Sequence, residues 1–154
     1  MRCHLLLLIF FTLLSLLIFV PREGGELIGY ERVVEVETGD HLLRLRTTSG
    51  HLDMLVSEEQ VYSIQLALNG TKPFRPNTHD LLSSLLKALN ADHFVTVDKL
   101  QGGTYYATLH VSVFWKGVKL DTRPSDGVAI ALRTGAPIFV KEELLENDIS
   151  QRTF

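Results

Sequence analysis

A chain of 154 residues with 45% hydrophobic and 21% charged positions can bury a core without staples, which excludes a disordered chain and a mini-protein. Its one cysteine, Cys3, precedes the body of the chain, which excludes a disulfide framework and any Cys-based zinc or iron–sulfur site there. The formal net charge of −3 has the wrong sign for holding nucleic acid by counterion release, so work on RNA or DNA would need a local basic patch or bridging metal ions.

From Leu5 to Val20, 14 of 16 residues are apolar, broken only by Thr12 and Ser15. Arg2 ahead of this run gives the layout of a secretory signal. The run falls just short of the ~20 residues that span a bilayer comfortably. Signal cleavage needs small residues at −3 and −1, and Ile18-Phe19-Val20-Pro21-Arg22 supplies none. Residues 1–21 are therefore expected to form an apolar helix that acts as an anchor or a signal, touching membrane through residues 5–20. The chain would then be membrane-anchored or exported, the alternative being a cytoplasmic protein. Beyond this segment the composition is about 40% apolar, ordinary for a folded domain.

The body reads in order as follows. Val34 and Val36, then Leu43 and Leu45, alternate with charged residues on either side of Gly39-Asp40, which predicts a hairpin; His51 to Val56 is a third strand. Ser57 with Gln60 three positions on has capping-box spacing and opens a helix that stops at Asn69-Gly70. Lys72 to Pro76, with two prolines, is a connector. Thr78 is expected to cap a helix whose Leu81, Leu82, Leu85, Leu86 and Leu89 form one apolar stripe. Strands follow around Phe94–Val97, Thr104–Trp115 and Val118–Arg123. Pro124-Ser125 opens a helix, with Ser125 as its cap and Gly135 as its stop. Pro137–Val140 is extended, and Glu142–Glu146 is a terminal helical turn. Hairpins separated by single helices predict an α+β fold: one domain over residues 30–154, with a largely antiparallel or mixed sheet and three to four helices.

No phosphate-binding glycine loop, zinc-protease, nucleophile-elbow or EF-hand pattern is present. Polar groups concentrate instead at two helix starts, Arg75-Pro76-Asn77-Thr78-His79-Asp80 and Asp121-Thr122-Arg123-Pro124-Ser125-Asp126. Were these starts to face each other, Asp80, Asp121 and Asp126 could hold Mg²⁺ or Mn²⁺ through oxygen. His79 would orient or deprotonate water, and Arg75 and Arg123 would hold phosphate. The same residues also make good helix starts, and Asp121 and Arg123, two apart on a strand, could simply pair.

These two segments, with Gly103-Thr104-Tyr105-Tyr106-Ala107 and Leu132-Arg133-Thr134-Gly135-Ala136-Pro137-Ile138-Phe139-Val140, resemble the bifunctional nuclease domain family. The resemblance implies an α+β domain that self-associates, as a homodimer or larger, and a nuclease acting on RNA and DNA. A metal-dependent phosphodiester hydrolase is thus expected, the alternative being a non-catalytic oligomeric regulatory or scaffold module. This chain departs from the family pattern where Asn77 replaces a leucine, where Gly127 replaces an alanine, and over Leu52-Asp53-Met54-Leu55-Val56-Ser57. Gly127 in a first helical turn costs roughly 0.5–1 kcal/mol relative to alanine.

Overall fold

Strict alternation along the strands decides which side chains go inward. In the computed structural model, which describes residues 27–147, Leu43 and Leu45 are fully buried while the alternating Arg44 and Arg46 stay half-buried. The elements in order are β1 (Tyr30–Arg32), β2 (Glu35–Thr38), β3 (Leu42–Arg46), β4 (Gly50–Leu55), α1 (Glu58–Leu68) and α2 (Thr78–Ala88). They continue as β5 (Asp92–Gln101), β6 (Thr104–Val113), β7 (Lys116–Thr122), α3 (Pro124–Thr134) and β8 (Ile138–Lys141). A 3-10 turn (Glu142–Leu144) and β9 (Glu146–Asn147) close the described part.

The strands form two sheets rather than one. A five-stranded sheet has the order β1-β8-β5-β6-β7 and a four-stranded sheet the order β2-β3-β4-β9. Every pairing is antiparallel except β5 with β8, where Val95 lies beside Ile138 and Val97 beside Val140. The β6–β7 hairpin and α3 supply the crossover that a parallel pair requires. The fold is therefore α+β with mixed and antiparallel sheets and, among the described residues, three α-helices.

One apolar cluster draws on both sheets and all three helices. It joins Leu43, Leu45, Leu52 and Met54 of the smaller sheet to Val95, Val97, Ala107 and Leu109 of the larger, with Ile64, Leu86 and Val128 between them. Helix α3 lies deepest, buried from Val128 through Ala131 without interruption. Its end is set by Gly135 at φ 77°, the left-handed conformation that glycine adopts without Cβ strain. The leucine stripe of α2 is only partly used: Leu86 is buried, while Leu81, Leu85 and Leu89 remain 67%, 53% and 48% exposed.

A bulge between Val97 and Lys99 shifts the β5 register. Asp98, in the bulge, accepts hydrogen bonds from the Tyr30 hydroxyl at 2.9 Å and the Thr108 hydroxyl at 2.6 Å, tying β1, β5 and β6 together. Burial, and then the bond to Asp98 and its charge, push the Tyr30 hydroxyl up to about 12.

The expected membrane anchoring or export is corrected. Among the described residues no helix is long and apolar enough to cross a membrane. The three α-helices have 11 residues each, well short of the ~20 a span needs. The apolar segment 1–21 lies outside the described residues.

Gly127 reports how closely α3 approaches the sheet. A Cβ built there would stand 2.8 Å from Cγ1 of Val95 and 3.4 Å from Cγ2 of Thr122. Val95 is fully buried and stiff at χ1, so it has little room to yield. Alanine would gain up to ~1 kcal/mol of helix propensity and lose more to overpacking. G127A is expected to lower the unfolding free energy by about 1 kcal/mol net in urea titrations, and adding V95A should recover part of that loss. A stabilised G127A would show that α3 sits further from β5.

Candidate functional site: a polar seam between three helices

Helix α2 starts one residue earlier than Thr78 suggested. Asn77 is the N-cap: its side-chain oxygen accepts the Asp80 amide at 2.9 Å, and Oδ2 of Asp80 accepts the Asn77 amide at 2.9 Å. Thr78 is the first helical residue. Ser57 caps α1 with the reciprocal bond from Gln60. At α3 the N-cap is Arg123, which makes no side-chain cap bond; Pro124 and Ser125 are already helical. Proline suits that first position because its missing N–H would have been unpaired anyway.

The reciprocal bond leaves Oδ1 of Asp80 free to face α3, where it accepts Nε of Arg133 at 2.7 Å. The Arg133 side chain is only 9% exposed. Its other nitrogens donate to the Ala129 carbonyl at 2.9 Å and to the Ser63 hydroxyl oxygen at 3.2 Å. That oxygen also accepts Nδ2 of Asn77 at 3.3 Å. With two N–H groups pointing at it, the Ser63 hydroxyl must send its own proton to Nδ1 of His79, 2.9 Å away. His79 therefore carries its hydrogen on Nε2 and donates it to Oδ1 of Asp126 at 3.2 Å. Asp126 is closed from the other side by Arg123, through Nε at 2.7 Å and Nη2 at 3.1 Å.

The seam thus runs from Asp80 through Arg133, Ser63, His79 and Asp126 to Arg123. Serine, histidine and aspartate in sequence suggest a hydrolytic triad, but Ser63 is 5% exposed and lies where no substrate carbonyl can reach it. Burial alone would raise the Asp80 carboxyl. The bonds from Arg133 and the Asn77 amide, with the Arg133 charge, outweigh burial and hold it below the ordinary carboxylate range.

Asp121 does not join the seam. On β7 it lies opposite Thr108 of β6. Ala107 and Leu109, on either side of Thr108, point into the core, so Thr108 and its cross-strand partner Asp121 face away from it. Asp80 and Asp126 lie with the helices on the core side. Asp121 thus lies on the opposite face of the larger sheet from Asp80 and Asp126, and among the described residues no group of three His, Cys, Asp or Glu side chains that could hold a metal ion is found. Arg75 stands exposed in the connector, outside the seam.

Ser63, Asn77 and Arg133 are the seam residues that sequence reasoning gave no role. Asn77 and Asp80 carry the spacing of a reciprocal cap, and that signal could have found them. Arg133, 53 residues from its partner Asp80, leaves no local signal.

The profile of the bifunctional nuclease domain matches residues 42–152, which contain the whole seam. The chain belongs to the bifunctional nuclease domain family. Two uncharacterized proteins from two strains of Mycobacterium tuberculosis are each 40% identical to it over 115 residues, covering 73% of this chain and 68% of theirs. In this family member, the matched region carries the two helix starts as parts of a structural interlock.

Removing Arg133 would strand the Asp80 carboxylate and unpin Ser63. Arg133→Met, which keeps the apolar stem, is expected to cost about 2–3 kcal/mol in urea unfolding. A carboxyl held low in the folded state stabilises above its unfolded value, here the ordinary 3.8, and that contribution is lost as pH falls through the folded value. The drop in stability below about pH 4 should therefore be shallower in Arg133→Met than in the parent. An unchanged acid limb would show that Asp80 owes nothing to this arginine.

Proposed function

We propose that this domain is a non-catalytic, self-associating regulatory or scaffold module built on the bifunctional nuclease fold. The observation that supports this reading best is the fate of the acidic residues. Asp80 is closed by Asn77 and Arg133, and Asp126 by His79 and Arg123. Asp121 stands on the far face of the larger sheet. A two-metal or one-metal phosphodiesterase needs open carboxylates converging on one point, and carboxylates already paired with arginine must give up that pairing before they can bind a cation.

Self-association finds support at the edge of the larger sheet. Strand β7 ends the strand order, so among the described residues nothing pairs its outer edge, and Val118 and Leu120 are 42% and 44% exposed. An unpaired edge of this length is a template for another strand. Antiparallel pairing of two copies centred on Leu120 would place Lys119 of each copy opposite Asp121 of the other. Opposite charges at directly facing positions favour that register, and like charges oppose it.

A second reading, a metal-dependent nuclease on RNA or DNA, is favoured by the family membership itself. The two readings separate in one set of measurements on the purified chain. The module reading expects no cleavage of single-stranded RNA or DNA that depends on Mg²⁺ or Mn²⁺, is abolished by EDTA and is lost in D121N. It also expects a dimer in sedimentation equilibrium that dissociates in K119E and re-forms in the charge swap K119E/D121K. Metal-dependent cleavage that D121N reduces tenfold or more would overturn it in favour of the nuclease.

A further inference from the structure

The β6–β7 hairpin ends in two exposed aromatics. Val113 pairs with Lys116, so Phe114 and Trp115 form the two-residue turn between the strands. Phe114 sits at φ 55°, a conformation for which hairpin turns favour glycine or asparagine over a bulky side chain. The two rings lie 5.9 Å apart and their residues are 90% and 94% exposed. A strained turn that displays this much ring surface to water points to a partner that covers it. Elsewhere, between the start of α3, strand β4 and the β5–β6 turn, lies a cavity of about 430 Å³ walled by Met54, Leu55, Val56, Tyr105 and Pro124. Its charged groups are already paired: Asp53 is held bidentately by Arg44 at 2.7 and 2.6 Å, and Arg123 by Asp126. Leu55 on its wall is 87% exposed.

We propose that the Phe114-Trp115 turn of one copy of the chain docks into this cavity of a second copy. The docking rests on the edge pairing of β7 proposed above and adds a contact at each end of it. With Leu120 opposite Leu120, Val118 of one copy meets Thr122 of the other, and Trp115 falls level with Ser125. Continuing the β6–β7 register, in which Ala107 pairs with Thr122, puts Thr104 at that same level. Thr104–Tyr106 have no partner on β7, because the chain leaves the strand at Arg123 to enter α3. Thr104, Tyr105, Pro124 and Ser125 all line the cavity. The incoming turn therefore arrives at its mouth, two strand spacings or about 10 Å from β6. No second choice of register is involved: the one that sets Lys119 against Asp121 also brings the turn to the cavity. A two-fold axis repeats the contact, so a dimer would seat two turns in two cavities. Tryptophan anchored in an apolar pocket is the kind of contact that dominates an interface.

Trp115 is the chain's one tryptophan, so its fluorescence reports on the turn alone. In the purified full chain, emission should be blue-shifted and shielded from acrylamide at concentrations where sedimentation equilibrium finds a dimer. It should move to the red as dilution or K119E yields monomer. Trp115→Ser and Leu55→Glu, both at exposed positions, should each weaken the dimer at least about tenfold. Mixed in equal amounts, the two variants should associate more tightly than either alone, because the mixed dimer keeps one intact turn and cavity, and the Trp115 emission should return to the blue. A dimer whose Trp115 emission matches that of the K119E monomer, or one that Trp115→Ser leaves at full strength, would overturn the docking and leave the edge pairing standing. No dimer at any concentration would overturn the edge pairing and the docking with it. A blue shift that appears only with phosphatidylglycerol vesicles would overturn the docking in favour of a membrane surface.

Discussion

The arginine at position 133 is the constraint on which the helical layer depends. A guanidinium that is 9% exposed must find acceptors for its N–H groups inside the protein or forfeit its hydration without return. It finds them on three helices at once: Asp80 on α2, Ser63 on α1, and the Ala129 carbonyl one turn back on its own helix. The donation to Ser63 fixes where that hydroxyl proton goes, which fixes the His79 tautomer, which fixes what Asp126 receives. Each step leaves one group fewer for chemistry. A polar network that is fully satisfied rigidifies its surroundings, and this one joins the three helices where apolar packing is thin.

That thinness shows on α2. Its leucine stripe buries Leu86 and leaves three other leucines about half or more exposed, so the helix is held as much by Asn77, His79 and Asp80 as by its apolar face. Helix α3 is the opposite case, buried from Val128 to Ala131 and pressed so close to β5 that a Cβ at position 127 would stand 2.8 Å from Cγ1 of Val95. At this position the chain accepts glycine's entropic cost in exchange for proximity.

Much of the fold was legible in the sequence because it rests on local rules. The Leu43/Leu45 alternation, the Ser57–Gln60 spacing, and the pairing of Pro124 with Gly135 at the two ends of α3 are all written within a few residues of where they act. The division into two sheets was not legible, because it depends on β8 returning to lie parallel to β5 while β9 crosses to the other sheet. Of the site, the two helix starts were legible as polar concentrations, and His79 and Asp126 do meet. The place of Asp121 was not: its side is set by parity with Thr108 across the β6–β7 ladder, and a one-residue change in register would have put it on the core face. Arg133 was invisible for a related reason, since its partners Ser63 and Asp80 lie 70 and 53 residues away.

Asp80 and Asp126 are either committed to the helix interlock or open to cations. Paramagnetic Mn²⁺ titrated into the ¹⁵N-labelled chain answers this residue by residue, since a bound ion broadens the amides around it. The interlock predicts no selective broadening at Asn77–Asp80 or Arg123–Gly127 at substoichiometric Mn²⁺. Selective broadening of both segments together, reversed by EDTA, would contradict it and return these carboxylates to metal chemistry.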